Sequence, residues 1–324
     1  MKRAGNLFPK IIEWNNLVYA LWRAAKGKRT RNEVVQFMQN SNQRLLNLQT
    51  DLIQGNFPIG NFRQFPIRDP KPRLITAPCF TERVVHHAIH NICESVFENF
   101  LIDQTYACRV GKGRVSAIEK AYRFIRKYQW YLKLDIRSFF DSISHLHLIE
   151  RLERRFKDKE LLSLFWRIID SFSASPSKGL PIGALTSQHF ANFFLGWMDH
   201  FIKHTLRCKG YVRYMDDFVL WSDDRTVLVD WHVEVKRWLR ENLALELKNM
   251  SQPQKSRSGV NFLGCQIFPG FVALNQRNRK RISRRIRRLN SQVVVSEFES
   301  RRRQEKLTAL MNFSRHGTTV PLNW

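Results

Sequence analysis

Two adjacent acids stand inside an otherwise apolar stretch, RYMDDFVLW, in which Asp216 and Asp217 follow Tyr214 and Met215 and precede Phe218, Val219 and Leu220. Aromatic and β-branched residues on both sides predict a buried strand-like segment. A carboxylate buried there without a partner shifts its pKa or destabilises the fold by several kcal/mol. Two arrangements resolve the conflict. The acids lie at a hairpin turn, a common place for Asp, or a divalent cation compensates them. Asp135, 81 residues before Asp216, ends a second apolar strand in the same manner, in YLKLDIRSFF.

Carboxylate oxygens are hard ligands that suit Mg²⁺, which keeps several waters and takes one or two carboxylates together with substrate phosphates. Three strand-end acids on one sheet would hold two such ions, with Mn²⁺ as the alternative metal, about 3.5–4 Å apart. One ion would activate a 3′-hydroxyl. The other would hold a triphosphate and its leaving pyrophosphate.

Charge identifies the partner class. Lys and Arg number 54 against 28 Asp and Glu, a formal net charge of +26, on a chain that is still 43% hydrophobic. That apolar content excludes global disorder, and the charge points to a polyanion. Nucleic acid is favoured over an anionic membrane, because no long basic amphipathic helix is joined to an apolar anchor. From Arg277 to Arg288 eight of twelve residues are basic, and Ile282, Ile286 and Leu289 mark one apolar stripe. On a helix, Arg277, Lys280, Arg281, Arg284, Arg285 and Arg288 would face nucleic acid; a disordered tail and a surface for an acidic partner are the alternatives. Lys26, Lys28, Arg29 and Arg31 form a second basic cluster, and Arg301, Arg302 and Arg303 a third.

No run approaches the roughly 20 apolar residues of a membrane span, and Glu13, Asn15 and Asn16 interrupt any signal-peptide core near the start. Five scattered cysteines with no CxxC pair indicate a reducing compartment. A cytoplasmic location with no membrane partner is the expectation. His86, His87 and His90 read as core or helix-surface residues.

Hydrophobic periodicity predicts helices over 11–53, broken by a loop at the basic run, and over 81–100, 144–156, 187–206 and 227–243. Strands are expected in FRQFPI and PRLITAP, over 130–136 and over 260–268. A hairpin carrying charges at its turn is expected over 211–221, and a basic helical tail from 277. Helices interleaved with mostly antiparallel strands make the fold class α+β.

The order LKLDIRSFFDSI, GLPIGALTSQHFANFFL, YMDDFVLW, FLGCQI resembles the palm motifs of reverse transcriptases, from about Pro70 to Phe268. Retroviral and group II intron enzymes carry Pro-Gln-Gly and then Ser-Pro in the second motif. This chain has Ile182-Gly183 and then Ser187-Gln188, a pattern similar to reverse transcriptases of bacterial and phage diversity-generating retroelements. The chain's size, with no endonuclease or RNase H domain expected, and its terminal LTALMNFSRHGTTVPLNW agree with that resemblance.

The resemblance implies a right-hand polymerase fold with an N-terminal extension and fingers over 1–129 (fingers strands about 60–78, finger helices 81–100), a palm over 130–270 and a basic helical thumb over 271–324. It implies RNA-directed DNA synthesis, with two Mg²⁺ ions on Asp135, Asp216, Asp217 and the carbonyl of Ile136. Phe140, with Phe139 as the alternative, would exclude a 2′-hydroxyl. Lys71 and Arg73 would grip the triphosphate, Arg in a bidentate manner that Lys cannot match. Ile182, Gly183 and Gln188 would line the nucleotide site, where Gly183 allows a close backbone approach. Lys255, with Lys248 nearby, would protonate pyrophosphate, and Phe262, Leu263 and Gly264 would form the primer grip. Implied partners are a template RNA, its RNA–DNA hybrid, dNTPs and a small, basic, oligomeric accessory variability protein. An Ile in place of the retroviral Gln offers packing without a hydrogen bond, so lower fidelity is expected. A defence-type reverse transcriptase copying a noncoding RNA and a maturase-like RNA-binding protein without polymerase activity are the alternatives.

Overall fold

The computed structural model describes residues 3–68, 72–248 and 251–291, together with Gln304 and Thr308. The chain divides into two compact units, each assembled from three separated stretches. The first contains Met1–Asp103, Ile136–Phe201 and Val235–Lys248; the second contains Gln104–Asp135, Ile202–Glu234 and Asn249–Trp324.

In the first unit the region expected to be helical over 11–53 forms three main helices, Trp14–Ala25, Asn32–Gln39 and Ser41–Ile53. The basic run is the first break, as expected, where Gly27 turns the chain at φ 71°. A second break at Asn40 has no Pro or Gly to announce it. Leu17, Ala20, Leu21 and Ala24 recur at three and four and are buried, so this helix packs its apolar stripe against the long helix Phe80–Glu98. Strands β1 (Phe62–Arg68) and β2 (Pro72–Pro78) form an antiparallel ribbon with Phe62 opposite Pro78 and Arg68 opposite Pro72. Pro66 is tolerated because each strand of a two-stranded ribbon keeps a free edge.

Helix Leu185–His200 is buried on most sides, through Phe190, Phe193, Phe194, Leu195 and Met198. It ends earlier than the expected 206, where Phe201–Thr205 continue as a looser π-type turn. Helices His145–Glu153 and Lys159–Asp170 complete this core.

The second unit is built on a four-stranded antiparallel sheet of β3 (Trp130–Asp135), β4 (Gly210–Tyr214), β5 (Asp217–Ser222) and β6 (Gln254–Lys255), in the order β4-β5-β3-β6. Side chains alternate across a strand, so Tyr131, Val219 and Trp221 face one way. Helix Arg114–Lys127 lays Ala117, Ala121 and Ile125 on them.

The same core receives a three-stranded antiparallel sheet, β7 (Val260–Phe262), β8 (Cys265–Ile267) and β9 (Val272–Leu274). The single strand expected over 260–268 is therefore a hairpin. Leu263 and Gly264, at φ 50° and 79°, form the two-residue turn with both residues left-handed that tight hairpins favour. Helix Gln276–Asn290 follows, burying Ile282 and Leu289.

Candidate active site

Strand register assembles the carboxylates. β3 and β5 pair antiparallel so that Asp135 lies directly opposite Asp217, while Tyr214 pairs with Asp217 in the β4–β5 hairpin. Met215 and Asp216 are then the two turn residues, with Met215 left-handed at φ 56°. Arg213, fully buried, donates from Nη1 to the carbonyl of Met215 at 3.0 Å and braces that turn. The turn accounts for Asp216 alone; Asp217 lies in the sheet beside the Lys133 ammonium. Lys133 Nζ lies 3.2 Å from Asp217 Oδ2.

Burial pushes the Asp217 carboxyl up to about 6. Lys133 opposes that rise, and the negative charges of Asp135 and Asp216 add to it. The Oδ1 atom of Asp217 is buried and accepts no hydrogen bond. A buried carboxylate oxygen lacking a donor, with two further acids close enough to repel it, is the environment a hard divalent cation relieves. Among the described residues, no group of three or more His, Cys, Asp or Glu forms a ready-made cation cage. An incomplete carboxylate set fits Mg²⁺ completed by water and substrate phosphates. Ile136 is buried, and its backbone bridges to Leu247.

Within the first unit, Phe139 is buried and Phe140 partly exposed, their ring centroids 5.7 Å apart. The Phe140 carbonyl accepts from the Leu180 amide. Ile182 is half-buried, its carbonyl accepting from the amide of Thr76 in β2 at 2.8 Å. Gly183 follows at φ +130°, and a Cβ there would lie 2.8 Å from Ile75 Cγ2 and 3.1 Å from the Thr76 carbonyl. Only glycine combines that backbone angle with that close approach. Gln188 is exposed on the first turn of helix Leu185–His200, and Arg73 is exposed on β2 opposite Ile67. Lys71 lies outside the described residues.

The structure does not bring Lys255 to the acids. Lys255 pairs with Trp130 at the opposite end of β3 from Asp135, and its ammonium lies 5.5 Å from the Trp130 ring centroid. Five residues of strand rise separate those ends by about 16 Å, more than a lysine side chain spans. Lys248, the alternative, belongs to the other unit.

Phe262 is buried and Leu263-Gly264 form the β7–β8 turn. Arg114 Nε donates to the Leu263 carbonyl at 2.8 Å, and the Asn278 side chain donates to the Gly264 carbonyl at 2.9 Å. Arg277, Arg279, Lys280, Arg281, Arg284, Arg285, Arg287 and Arg288 lie along helix Gln276–Asn290, outside its buried stripe. The Arg301–Arg303 cluster and the terminal LTALMNFSRHGTTVPLNW segment, Thr308 apart, lie outside the described residues.

Lys133, Arg114, Arg213 and Asn278 are missed by motif reading. A Lys alternating with Asp135 on one strand face was the only signal, and it was there for Lys133 alone. His86 and His90 are buried, as core residues would be, and all five cysteines are free thiols. No described helix is long and apolar enough to cross a membrane.

A mixed α+β chain with antiparallel strands that set two acids face to face and a third at the adjoining turn has the architecture of a right-hand polymerase. The family model described as "Reverse transcriptase (RNA-dependent DNA polymerase)" matches residues 66–267. That is more than half of the chain, which therefore belongs to the reverse transcriptase family.

Among curated proteins the chain is similar to the putative COX1/OXI3 intron 2 protein of Saccharomyces cerevisiae, 20% identical over 275 residues, covering 64% of this chain and 31% of that one. It is also similar to the group II intron-encoded protein LtrA of Lactococcus lactis, 25% identical over 138 residues, covering 41% and 23%. The chain thus spans a third or less of the length of these two relatives. Among solved structures, apo telomerase from Candida tropicalis matches with a TM-score of 0.51 at 11% identity, covering 84% of this chain and 61% of that one. At that identity the likeness is one of fold.

Proposed function

We propose that this protein is an RNA-directed DNA polymerase that copies a template RNA into cDNA. The carrying observation is the register that sets Asp135 opposite Asp217 with Asp216 at the adjoining turn. Asp135, Asp216 and Asp217, with the Ile136 carbonyl, would hold two Mg²⁺ ions, Mn²⁺ being the alternative. When bound, these ions supply activation of the primer 3′-hydroxyl and charge neutralisation on the triphosphate.

The protein's own groups do the rest. Arg73 and Lys71 bind the triphosphate, and the Arg adds bidentate geometry. Phe140, the more exposed of the two phenylalanines, packs under the sugar and leaves no room for a 2′-hydroxyl. Gly183 lets the backbone approach the nucleotide, with Ile182 and Gln188 beside it. Phe262, Leu263 and Gly264 hold the primer end, and the arginines of helix Gln276–Asn290 bind the backbone of an A-like hybrid. In this reading 1–129 contains the fingers, 130–270 the palm and 271–324 the thumb.

The source is a diversity-generating retroelement, acting in the cytoplasm with a template RNA, dNTPs and a small oligomeric accessory variability protein. The support is Ile182-Gly183 followed by Ser187-Gln188, because an Ile in place of Gln packs without hydrogen bonding and weakens geometric discrimination of the base pair. Ile182→Gln should narrow the error spectrum across the four template bases; an unchanged spectrum counts against mutagenic copying.

A second reading, an RNA-binding maturase-type protein, draws on the intron-encoded relatives. Primer extension on RNA with Mg²⁺ separates the two. Wild type extends and Asp216→Ala does not if the polymerase reading holds; absence of metal-dependent extension sinks it.

A further inference from the structure

Lys133 has no role in the polymerase reading above. It stands two residues before Asp135 in β3, so its side chain leaves the sheet on the face that carries Asp135 and Asp217. Its ammonium makes three contacts: Asp217 Oδ2 at 3.2 Å, the Asn261 carbonyl at 2.6 Å and the Phe262 ring centroid at 6.0 Å. The other Asp217 oxygen is buried with no donor. One flexible cation therefore serves as counter-charge to Asp217 and as a tether from β3 to the start of the β7–β8 hairpin.

We infer that Lys133 is the resident counter-cation of the metal site, joining Asp217 to the Asn261–Phe262 end of the hairpin until a divalent ion takes the carboxylate and frees that end. The inference rests on the assignment of Asp217 as a metal ligand. An ammonium and a divalent ion a few ångströms apart on one carboxylate repel each other strongly at the effective dielectric of a protein site. The four-carbon stem lets the lysine swing away into water, where its charge is well hydrated. Its departure removes the donor from the Asn261 carbonyl and the cation from the Phe262 ring. By linkage, whatever loosens the hairpin favours metal, and metal loosens the hairpin. Lys133 is thus a positioning residue that couples metal occupancy to the segment beside the Leu263-Gly264 turn.

The test uses the full chain with Mn²⁺ as the probe, following free Mn²⁺ by electron paramagnetic resonance and amide hydrogen exchange over residues 260–267. In the wild type, Mn²⁺ should speed exchange in the hairpin. Lys133→Met should bind Mn²⁺ on the order of 10-fold more tightly, the effect of one partly screened charge, with fast hairpin exchange whether or not Mn²⁺ is present. Lys133→Gln removes the charge and keeps a donor for Asn261, so it should bind Mn²⁺ tightly while its hairpin exchanges slowly. Lys133→Arg should restore wild-type affinity. Unchanged affinity in both Met and Gln variants, or hairpin exchange indifferent to Mn²⁺ in the wild type, overturns the inference and leaves Asp217 as a metal ligand. Equal Mn²⁺ binding by wild type and Asp217→Asn overturns the metal assignment, and this inference with it.

Discussion

The amide of Thr76 donates to the carbonyl of Ile182 across 2.8 Å, so a strand of the β1–β2 ribbon and the Ile182-Gly183 segment share a backbone hydrogen bond. The next residue, Gly183, is held at φ +130° with Ile75 and Thr76 against it. Gly183→Ala must displace that strand or leave its own backbone strained. The expected outcome is a chain that still folds by circular dichroism, with KM for dNTP raised on the order of 10-fold or more through misplacement of the nucleotide site. An unchanged KM would separate this glycine from nucleotide binding.

Asp217 lowers the stability of the metal-free fold at neutral pH. Its folded-state carboxyl titrates near 6 against an ordinary 3.8, chiefly because it is buried. Below the ordinary value both folded and unfolded chains carry the proton, and no penalty arises. Between the ordinary value and about 6 the unfolded chain ionises while the folded state holds its proton, so stability falls across that window and levels off above it. Asp217→Asn should therefore stabilise the metal-free protein by about 1–3 kcal/mol at neutral pH. Urea unfolding at neutral and acid pH measures the difference, and the same variant should lose primer extension.

The two phenylalanines separate by burial. Phe139 is 2% exposed, and Phe139→Ala should cost about 3–5 kcal/mol of stability as a core deletion. Phe140 is partly exposed, and Phe140→Ala should fold normally while incorporating ribonucleotides that the wild type rejects. Steady-state incorporation of matched dNTP and rNTP pairs reads the gate; a ribonucleotide gain from Phe139→Ala alone would transfer the role.

Three histidines make the first unit acid-sensitive. Burial lowers His87 and His90 to about 4 and His189 to about 3, helped by the Arg23 charge, and the His90 and His189 rings lie 3.8 Å apart. Their folded values lie below the unfolded 6.5, so the stability they support is complete above that pH. It is lost as pH falls toward 4 and the unfolded chain takes up protons first. His189→Phe should make the decline between 6.5 and 4 shallower, which unfolding free energies across that range would show.

The arginines of helix Gln276–Asn290 should set the salt dependence of binding to an RNA–DNA hybrid. Replacing Arg284, Arg285 and Arg288 with Gln should reduce the log–log salt slope by about 0.9 for each phosphate that is no longer neutralised. The buried stripe of Ile282 and Leu289 is untouched, so the fold should remain intact. A slope identical to wild type would place the hybrid elsewhere.

Much of the fold is local enough to be written in the chain. The apolar period in Trp14–Ala25, the β-rich texture around Pro66 and the acids interrupting RYMDDFVLW each report a segment's own preference. The hairpin at Leu263-Gly264 is a different case. Both flanks are apolar, and a turn whose first residue is Leu looks like continuous strand until cross-strand pairing forces it left-handed. Helix Arg114–Lys127 carries so many charges that its buried stripe of Ala117, Ala121 and Ile125 is inconspicuous.

What the sequence by itself determined is residue type in local context: two acids inside an apolar segment that need compensation, a third acid ending another strand, and a net charge of +26 that points to a polyanion. Neighbourhood was decided only by the tertiary structure. The hydrogen-bond ladder between β3 and β5 sets Asp135 against Asp217, brings Lys133 to the same carboxylate and places Lys255 at the far end of the strand. The physical reason is that side-chain chemistry belongs to single residues, whereas register is a property of two strands, and one residue of slip would turn every side chain to the opposite face.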